Sequence, residues 1–337
     1  MRTTPRSARP RAPSRDPDGV TDERAARPRV RTVFLGSGAF AVPSLRALAA
    51  HPDIELVAVV TAPPRAAGRR LEPYPTPVDR AAHELGIEPV LTPERLRAPE
   101  SIAAVLALAP DLAVLADYGQ IVPASLLEMR DGALNLHPSL LPRHRGATPV
   151  PAAILLGDAE TGVTLMRMDA GLDTGPIVAQ VRRGLDGTET TPALEAELAE
   201  LAATLLADQL GPWLRGELPA RSQPEVGVTL TRPLRREDGR LDPGRDAAAL
   251  ERQVRAHQPW PGSFVDTALG RLVVWSAAVE PEDIDRDPGT FDTDGLVTAD
   301  CRLRLIDVQP AGGKRMAWEA YVRGRPAIVG SRVVPAP

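Results

Sequence analysis

Asn135 and His137 stand two residues apart in the run Asn135-Leu136-His137-Pro138-Ser139-Leu140-Leu141-Pro142, and Asp173 follows in Gly171-Leu172-Asp173-Thr174-Gly175. The set supplies an amide, an imidazole and a carboxylate with no nucleophile between them. That combination suits transfer of an acyl-type group to an incoming amine. Such an attack needs a donor for the developing oxyanion, a group that manages protons, and an acid that fixes the charge state of the imidazole. Asn135, His137 and Asp173 are the candidates for those roles.

Positioning them requires particular elements. If Leu134 to His137 ends a strand, Asn135 and His137 leave the same face. Pro138 and Pro142 stop regular pairing just beyond, which places the pair at the carboxyl end of a strand, where open α/β sheets bind ligands. A helix over Pro149 to Leu156, a strand over Val163 to Met168 and turns at Gly171 and Gly175 would return Asp173 to the same edge. Taken singly, Asn-x-His is a weak signal, an isolated histidine is more often structural than catalytic, and Asp173 fits a turn residue bonding its own backbone equally well. The combination is what points to chemistry.

These motifs resemble the methionyl-tRNA formyltransferases, within the wider group that uses 10-formyltetrahydrofolate as formyl donor. The resemblance runs through Asn135 to Pro149, Gly157 to Thr164 and Met168 to Gly175, and extends over nearly the whole chain from Val30 onward. Departures such as Thr148 and Pro151 leave the trio untouched. The resemblance implies that Asn135, His137 and Asp173 are catalytic. It also implies that Ser139, Leu140, Leu141 and Pro142 line the folate site, and that Gly119, Gln120 and Ile121 belong to the pterin pocket. Arg69, in a basic loop that family members direct at the tRNA acceptor stem, is the candidate for tRNA contact.

Composition agrees with a two-domain enzyme. At 337 residues the chain exceeds a typical single domain, and 43% hydrophobic content can fill sizeable cores. No apolar stretch approaches the roughly 20 residues that span a bilayer. The single cysteine, Cys301, excludes an internal disulfide and a multi-cysteine metal cluster, which favours a cytoplasmic protein. The scattered histidines form no metal-ligand pattern, so no metal is expected. Residues 1–29 carry eight arginines against four acidic residues and no apolar run, and read as a disordered extension without the core of a signal peptide.

The expected fold class is α/β: a Rossmann-like, mostly parallel sheet over residues 30–214, a linker at 215–227, and a small β-barrel resembling an oligonucleotide-binding fold at 228–337. Val30 to Leu35, Leu56 to Val60, Asp111 to Ala116 and Gly132 to Leu136 read as strands. Val42 to Ala50, Thr76 to Leu85 and Pro123 to Met129 read as helices. The turn Gly36-Ser37-Gly38 invites a dinucleotide reading. However, Ala41 replaces the third glycine and no acidic residue ends the second strand, so nicotinamide binding is disfavoured. A long helix begins near Thr191 and is expected to stop at Gly211-Pro212. Beyond the linker, Ala247 to His257 has helical spacing, and Arg271 to Val279, Gly295 to Thr298 and Arg302 to Pro310 read as strands. Trp260, in the motif Gln258-Pro259-Trp260-Pro261, reads as a core residue on its own.

Charge tempers the RNA reading. From Gly227 onward 16 basic and 16 acidic residues cancel, and the whole chain sits at −4. Binding of initiator methionyl-tRNA would then rest on local patches such as Arg302 with Arg304, Lys314 with Arg315, and Arg323 with Arg325, and be salt-sensitive. A monomer is expected. The expected reaction has the methionyl amine attack the formyl carbon, with Asn135 and a protonated His137 bonding the oxyanion and Asp173 raising the imidazole pKa. A formyltransferase acting on an amino-sugar nucleotide is the nearest alternative. A catalytically silent RNA-binding protein is the rival from another class.

Overall fold

The computed structural model describes residues 28–67, 72–281 and 286–335. The extension at 1–29 falls almost wholly outside them, as does Arg69.

The amino-terminal part opens with β1 (Val30–Gly36), α1 (Ala41–Ala50) and β2 (Ile54–Val60), then the short strands β3 (Arg65–Ala67) and β4 (Glu72–Tyr74), which pair with each other. It continues with α2 (Pro77–Glu84), β5 (Val90–Leu91), α3 (Pro99–Leu106), β6 (Leu112–Ala116), α4 (Ala124–Leu127), β7 (Ala133–His137), β8 (Arg145–Gly146) and α5 (Pro149–Leu156). β9 (Glu160–Arg167), β10 (Ile177–Gly184) and α6 (Thr191–Leu214) follow. Seven strands form one sheet in the order β10-β9-β7-β6-β1-β2-β5. β5, β2, β1, β6 and β7 run parallel, and β9 and β10 add antiparallel.

The central strands are near-continuous apolar runs because both faces are covered. Phe34, Val114 and Leu136 pack on one side with Leu45 of α1 and Leu198 of α6. Val33, Leu35 and Leu115 pack on the other with Val105 of α3 and Leu126 of α4. The first glycine turn serves this packing: a Cβ at Gly38 would lie 1.6 Å from a carboxyl oxygen of Asp117.

Two elements differ from the sequence reading. β10 is a half-exposed edge strand whose pattern gave no clear signal. α6 runs through Gly211 and Pro212 to Leu214, because Trp213 anchors the last turn by donating from Nε1 to the Asp131 carbonyl at 3.2 Å. Tertiary contact overrides local helix propensity here.

The carboxyl-terminal part contains β11 (Leu230–Thr231), α7 (Ala247–Ala256), β12 (Ser263–Thr267), β13 (Gly270–Glu280), β14 (Gly295–Val297), β15 (Arg302–Pro310), β16 (Met316–Ala317) and α8 (Trp318–Gly324). β12, β13, β15 and β14 lie in that order, with β16 on β15, as an antiparallel half-barrel bent by irregular pairing at Val274 and Ser276. Its core centres on Trp318, which lies 5.9 Å from Phe291 and 5.7 Å from Tyr321 between ring centroids. α7 docks the two parts together: Thr191 Oγ1 donates to the Ala256 carbonyl at 2.6 Å, and Arg255 donates to the Glu189 carbonyl at 2.8 Å.

Candidate active site

β7 lies between β6 and β9, with Asn135 opposite Leu115 and Met166 and His137 opposite Thr164. In register with it, the chain leaving β6 carries Asp117, Tyr118 and Gly119 along the same carboxyl edge, next to the turn that leaves β1. The Ser37 amide donates to the Asp117 carbonyl at 2.9 Å.

Asn135 is half-buried, and its carboxamide makes no hydrogen bond to any described residue. An amide held on a rigid strand with its donors uncommitted is suited to bind a substrate oxygen. His137 is the opposite case, 5% exposed, with one ring nitrogen hydrogen-bonded and the other facing a carboxylate. Nε2 lies 2.9 Å from the His144 carbonyl, which can only accept, so Nε2 carries the proton. Nδ1 faces the Asp173 Oδ2 atom at 3.7 Å. Burial holds the imidazole pKa below its ordinary value; the Asp173 carboxylate and the His144 carbonyl push upward but do not outweigh it. Asp173 thus raises the pKa as expected, but burial outweighs it, and it is the expected protonated resting state of His137 that is corrected. The ring is neutral near pH 7, with Nδ1 free to take a proton beside a carboxylate.

Asp173 sits in the left-handed region, with φ 51°. Its Oδ2 accepts from the Gly146 amide at 2.7 Å. Asp169 shapes the same turn, accepting from the Gly171 amide at 2.9 Å and from the Thr174 hydroxyl at 2.7 Å.

The loop after β7 is braced by groups that the sequence reading passed over. Buried Thr164 donates to the Ser139 carbonyl at 2.7 Å and accepts from the Leu141 amide at 3.1 Å and from Gln180 at 2.8 Å. The Ser139 hydroxyl is buried and donates to the Arg143 carbonyl at 2.6 Å, so this side chain holds the loop's shape. Leu141 and Pro142 are also buried, and Leu140 is partly exposed.

His144, on the loop after Pro142, is 3% exposed. Its Nε2 donates to Asp158 at 2.6 Å, and its amide donates to Thr229 Oγ1 at 2.7 Å. Only spatial proximity across 85 residues reveals that last contact; no spacing in the sequence signals it. A groove of about 700 Å³ runs along the outer side of this loop, lined by Leu140, Leu141, Pro142, Gln180 and Val226 among others. It does not contain the trio.

Gly119, at φ +75°, has open space where a side chain would be. Gln120 uses its side chain internally, accepting from the Leu96 amide at 2.8 Å and donating to the Pro93 carbonyl at 3.1 Å, while Ile121 is 68% exposed. Asp117, crowded against Gly38, is a carboxyl that the sequence reading did not single out; loss of hydration, with nearby Glu195 adding to it, pushes its pKa up to about 6. Among the described residues no group of three or more His, Cys, Asp or Glu side chains is arranged to hold a metal ion.

On the half-barrel, Trp260 is 55% exposed and so is not a core residue. Arg302 is bound to Asp292 and Glu280, and Arg315 to Asp307, whereas Arg304, Lys314 and Arg323 make no ion pair with a described residue.

Comparison with known proteins agrees with this architecture. A formyl transferase model matches residues 30–210, and a formyl transferase carboxyl-terminal domain model matches residues 233–326. The methionyl-tRNA formyltransferase of Chloroflexus aggregans is 43% identical over 304 residues, covering 88% of this chain and 97% of that protein. That of Gluconacetobacter diazotrophicus is 45% identical, covering 90% and 99%. Among solved structures, an N-formyltransferase from Helicobacter canadensis, in complex with folinic acid and dTDP-3-aminofucose, shares the fold at TM-score 0.60 and 16% identity, covering 85% of this chain and 100% of that one. With a neutral, carboxylate-backed imidazole beside an uncommitted amide, and relatives matching nearly end to end, the chain belongs to the methionyl-tRNA formyltransferase family.

Proposed function

We infer that this protein transfers the formyl group of 10-formyltetrahydrofolate to the free amino group of initiator methionyl-tRNA, giving formylmethionyl-tRNA for translation initiation. The observation that carries this reading is the pairing of Asn135, whose amide is uncommitted, with His137, whose Nδ1 faces Asp173 at 3.7 Å. The high identity to methionyl-tRNA formyltransferases supports the acceptor.

In this mechanism the neutral amine attacks the formyl carbon, forming a C–N bond and a tetrahedral oxyanion. The Asn135 amide donates to that oxygen. His137 Nδ1 takes the proton lost by the amine, and Asp173 stabilises the imidazolium formed. The proton then passes to N10 of the folate as its bond to the formyl carbon breaks, so no proton is gained or lost overall. A buried imidazole with a depressed pKa suits this base role better than a permanently charged donor would. The Nε2 contact to the His144 carbonyl keeps the ring in the required tautomer.

Leu140, the loop Ser139 to Pro142 that carries it, and the open backbone at Gly119, Gln120 and Ile121 form the proposed folate contacts, and Arg69 the proposed tRNA contact. No helix among the described residues is long and apolar enough to cross a membrane, and a monomeric cytoplasmic enzyme is the form we propose.

Supplying the purified protein with 10-formyltetrahydrofolate and, in parallel, methionyl-tRNA or a dTDP-linked amino sugar tests the acceptor. Formyl transfer to the tRNA alone is expected. Transfer to the sugar alone would overturn the assignment.

A further inference from the structure

The segment between α6 and the half-barrel is expected from sequence to be a tether, yet it runs through the catalytic edge. The Arg221 and Ile177 backbones exchange hydrogen bonds of 2.7 and 2.8 Å, and β11 pairs with β8. Gln223 sits between these contacts. Its Nε2 donates to the carbonyls of Asp173 at 2.7 Å and Gly175 at 2.8 Å, and its Oε1 accepts from Arg145 Nε at 3.0 Å and Nη2 at 2.8 Å.

Asp173 needs such support. A non-glycine residue in the left-handed region is strained, so contacts from outside the residue must hold this conformation. The carboxylate's own donor, the Gly146 amide, depends on the same segment: Gly146 pairs with Thr231, at φ +108°, so closely that a Cβ would lie 2.3 Å from the Thr231 carbonyl oxygen. The linker thus holds the backbone of the Asp173 turn through Gln223, and the amide that aims the carboxylate through β11.

The geometry points to Gln223 as a positioning residue for the Asp173 carboxylate, a role that rests on Asp173 being the partner of His137. Gln223 touches no reacting atom. It sets the distance and direction from which Asp173 meets Nδ1, and it does so from the chain segment that leads into the half-barrel.

The test compares Gln223→Ala, Gln223→Glu and Asp173→Asn, alone and with Asp173→Asn combined with each Gln223 change, in the full chain. Gln223→Glu keeps an acceptor for Arg145 but has no donor for the two carbonyls, and it decides the matter if the alanine variant is not folded. Misplacing a catalytic group by a fraction of an ångström is expected to lower kcat about tenfold in both Gln223 variants, with KM for methionyl-tRNA and folate held within roughly twofold. In the Asp173→Asn background the Gln223 changes should have no further effect, since both act through one carboxylate. Loss of kcat that instead adds fully to that of Asp173→Asn overturns the inference, as does wild-type kcat in Gln223→Glu while Asp173→Asn is impaired. Full activity of Asp173→Asn overturns the reading of Asp173 itself, a separate result.

Discussion

The catalytic edge and the half-barrel treat polar groups in opposite ways. At the edge, His137 is buried with a carbonyl on one nitrogen and a carboxylate facing the other, while Asn135 keeps its donors uncommitted. On the half-barrel, Arg302 and Arg315 are locked to Asp292, Glu280 and Asp307, and Trp318 packs between Phe291 and Tyr321 in a largely aliphatic core. The first region is organised for one reaction geometry. The second pairs some of its cations with carboxylates and leaves others, such as Arg304, Lys314 and Arg323, without an ion pair among the described residues.

Changes on either side should separate along this line. The largest effect is expected from Trp318→Ala, which empties the half-barrel core and removes the 2.9 Å bond from Nε1 to the Thr293 carbonyl. A loss of about 3–5 kcal/mol in unfolding free energy is anticipated from denaturant titration. Asn135→Ala should leave the unfolding midpoint near wild type and lower kcat by about 10²–10³, or about 2.7–4 kcal/mol of transition-state stabilisation. An unchanged kcat there would mean that the oxyanion is bound elsewhere.

The pH dependence sharpens the contrast. Burial already depresses the His137 pKa, so the acid limb of kcat should lie below the ordinary imidazole value of 6.5. Asp173 opposes that depression, so Asp173→Asn should move the limb to still lower pH while reducing the plateau. A limb that moves upward would contradict the assigned electrostatics. The smallest effects belong to the half-barrel surface. Arg304→Ala and Lys314→Ala should each reduce the salt slope of tRNA binding by about one if the side chain meets a phosphate, whereas Arg302→Ala should act on stability first.

Much of this organisation is legible in the chain itself. Continuous apolar runs such as Leu112–Ala116 mark buried parallel strands, and the two-residue spacing of Asn135 and His137 on β7 follows from strand geometry alone. Asn135, His137 and Asp173 are readable as candidates because they stand in two compact sequence motifs. What escaped was long-range: Thr164, Gln223 and Thr229 act through contacts spanning 25, 50 and 85 residues. Their types, small hydroxyls and an amide in polar surroundings, are the ordinary content of strands and linkers. The charge state of His137 escaped for a related reason. Its neighbouring carboxylate is visible in the motif, but the burial that outweighs it belongs to the assembled fold.

The most direct measurement is single-turnover formyl transfer from 10-formyltetrahydrofolate to methionyl-tRNA by the intact chain and by His137→Ala, with tRNA affinity measured on the same preparations. Removing a proton carrier is predicted to slow transfer by about 10²–10⁴ while affinity stays within roughly twofold. Transfer by His137→Ala at the wild-type rate would contradict the account.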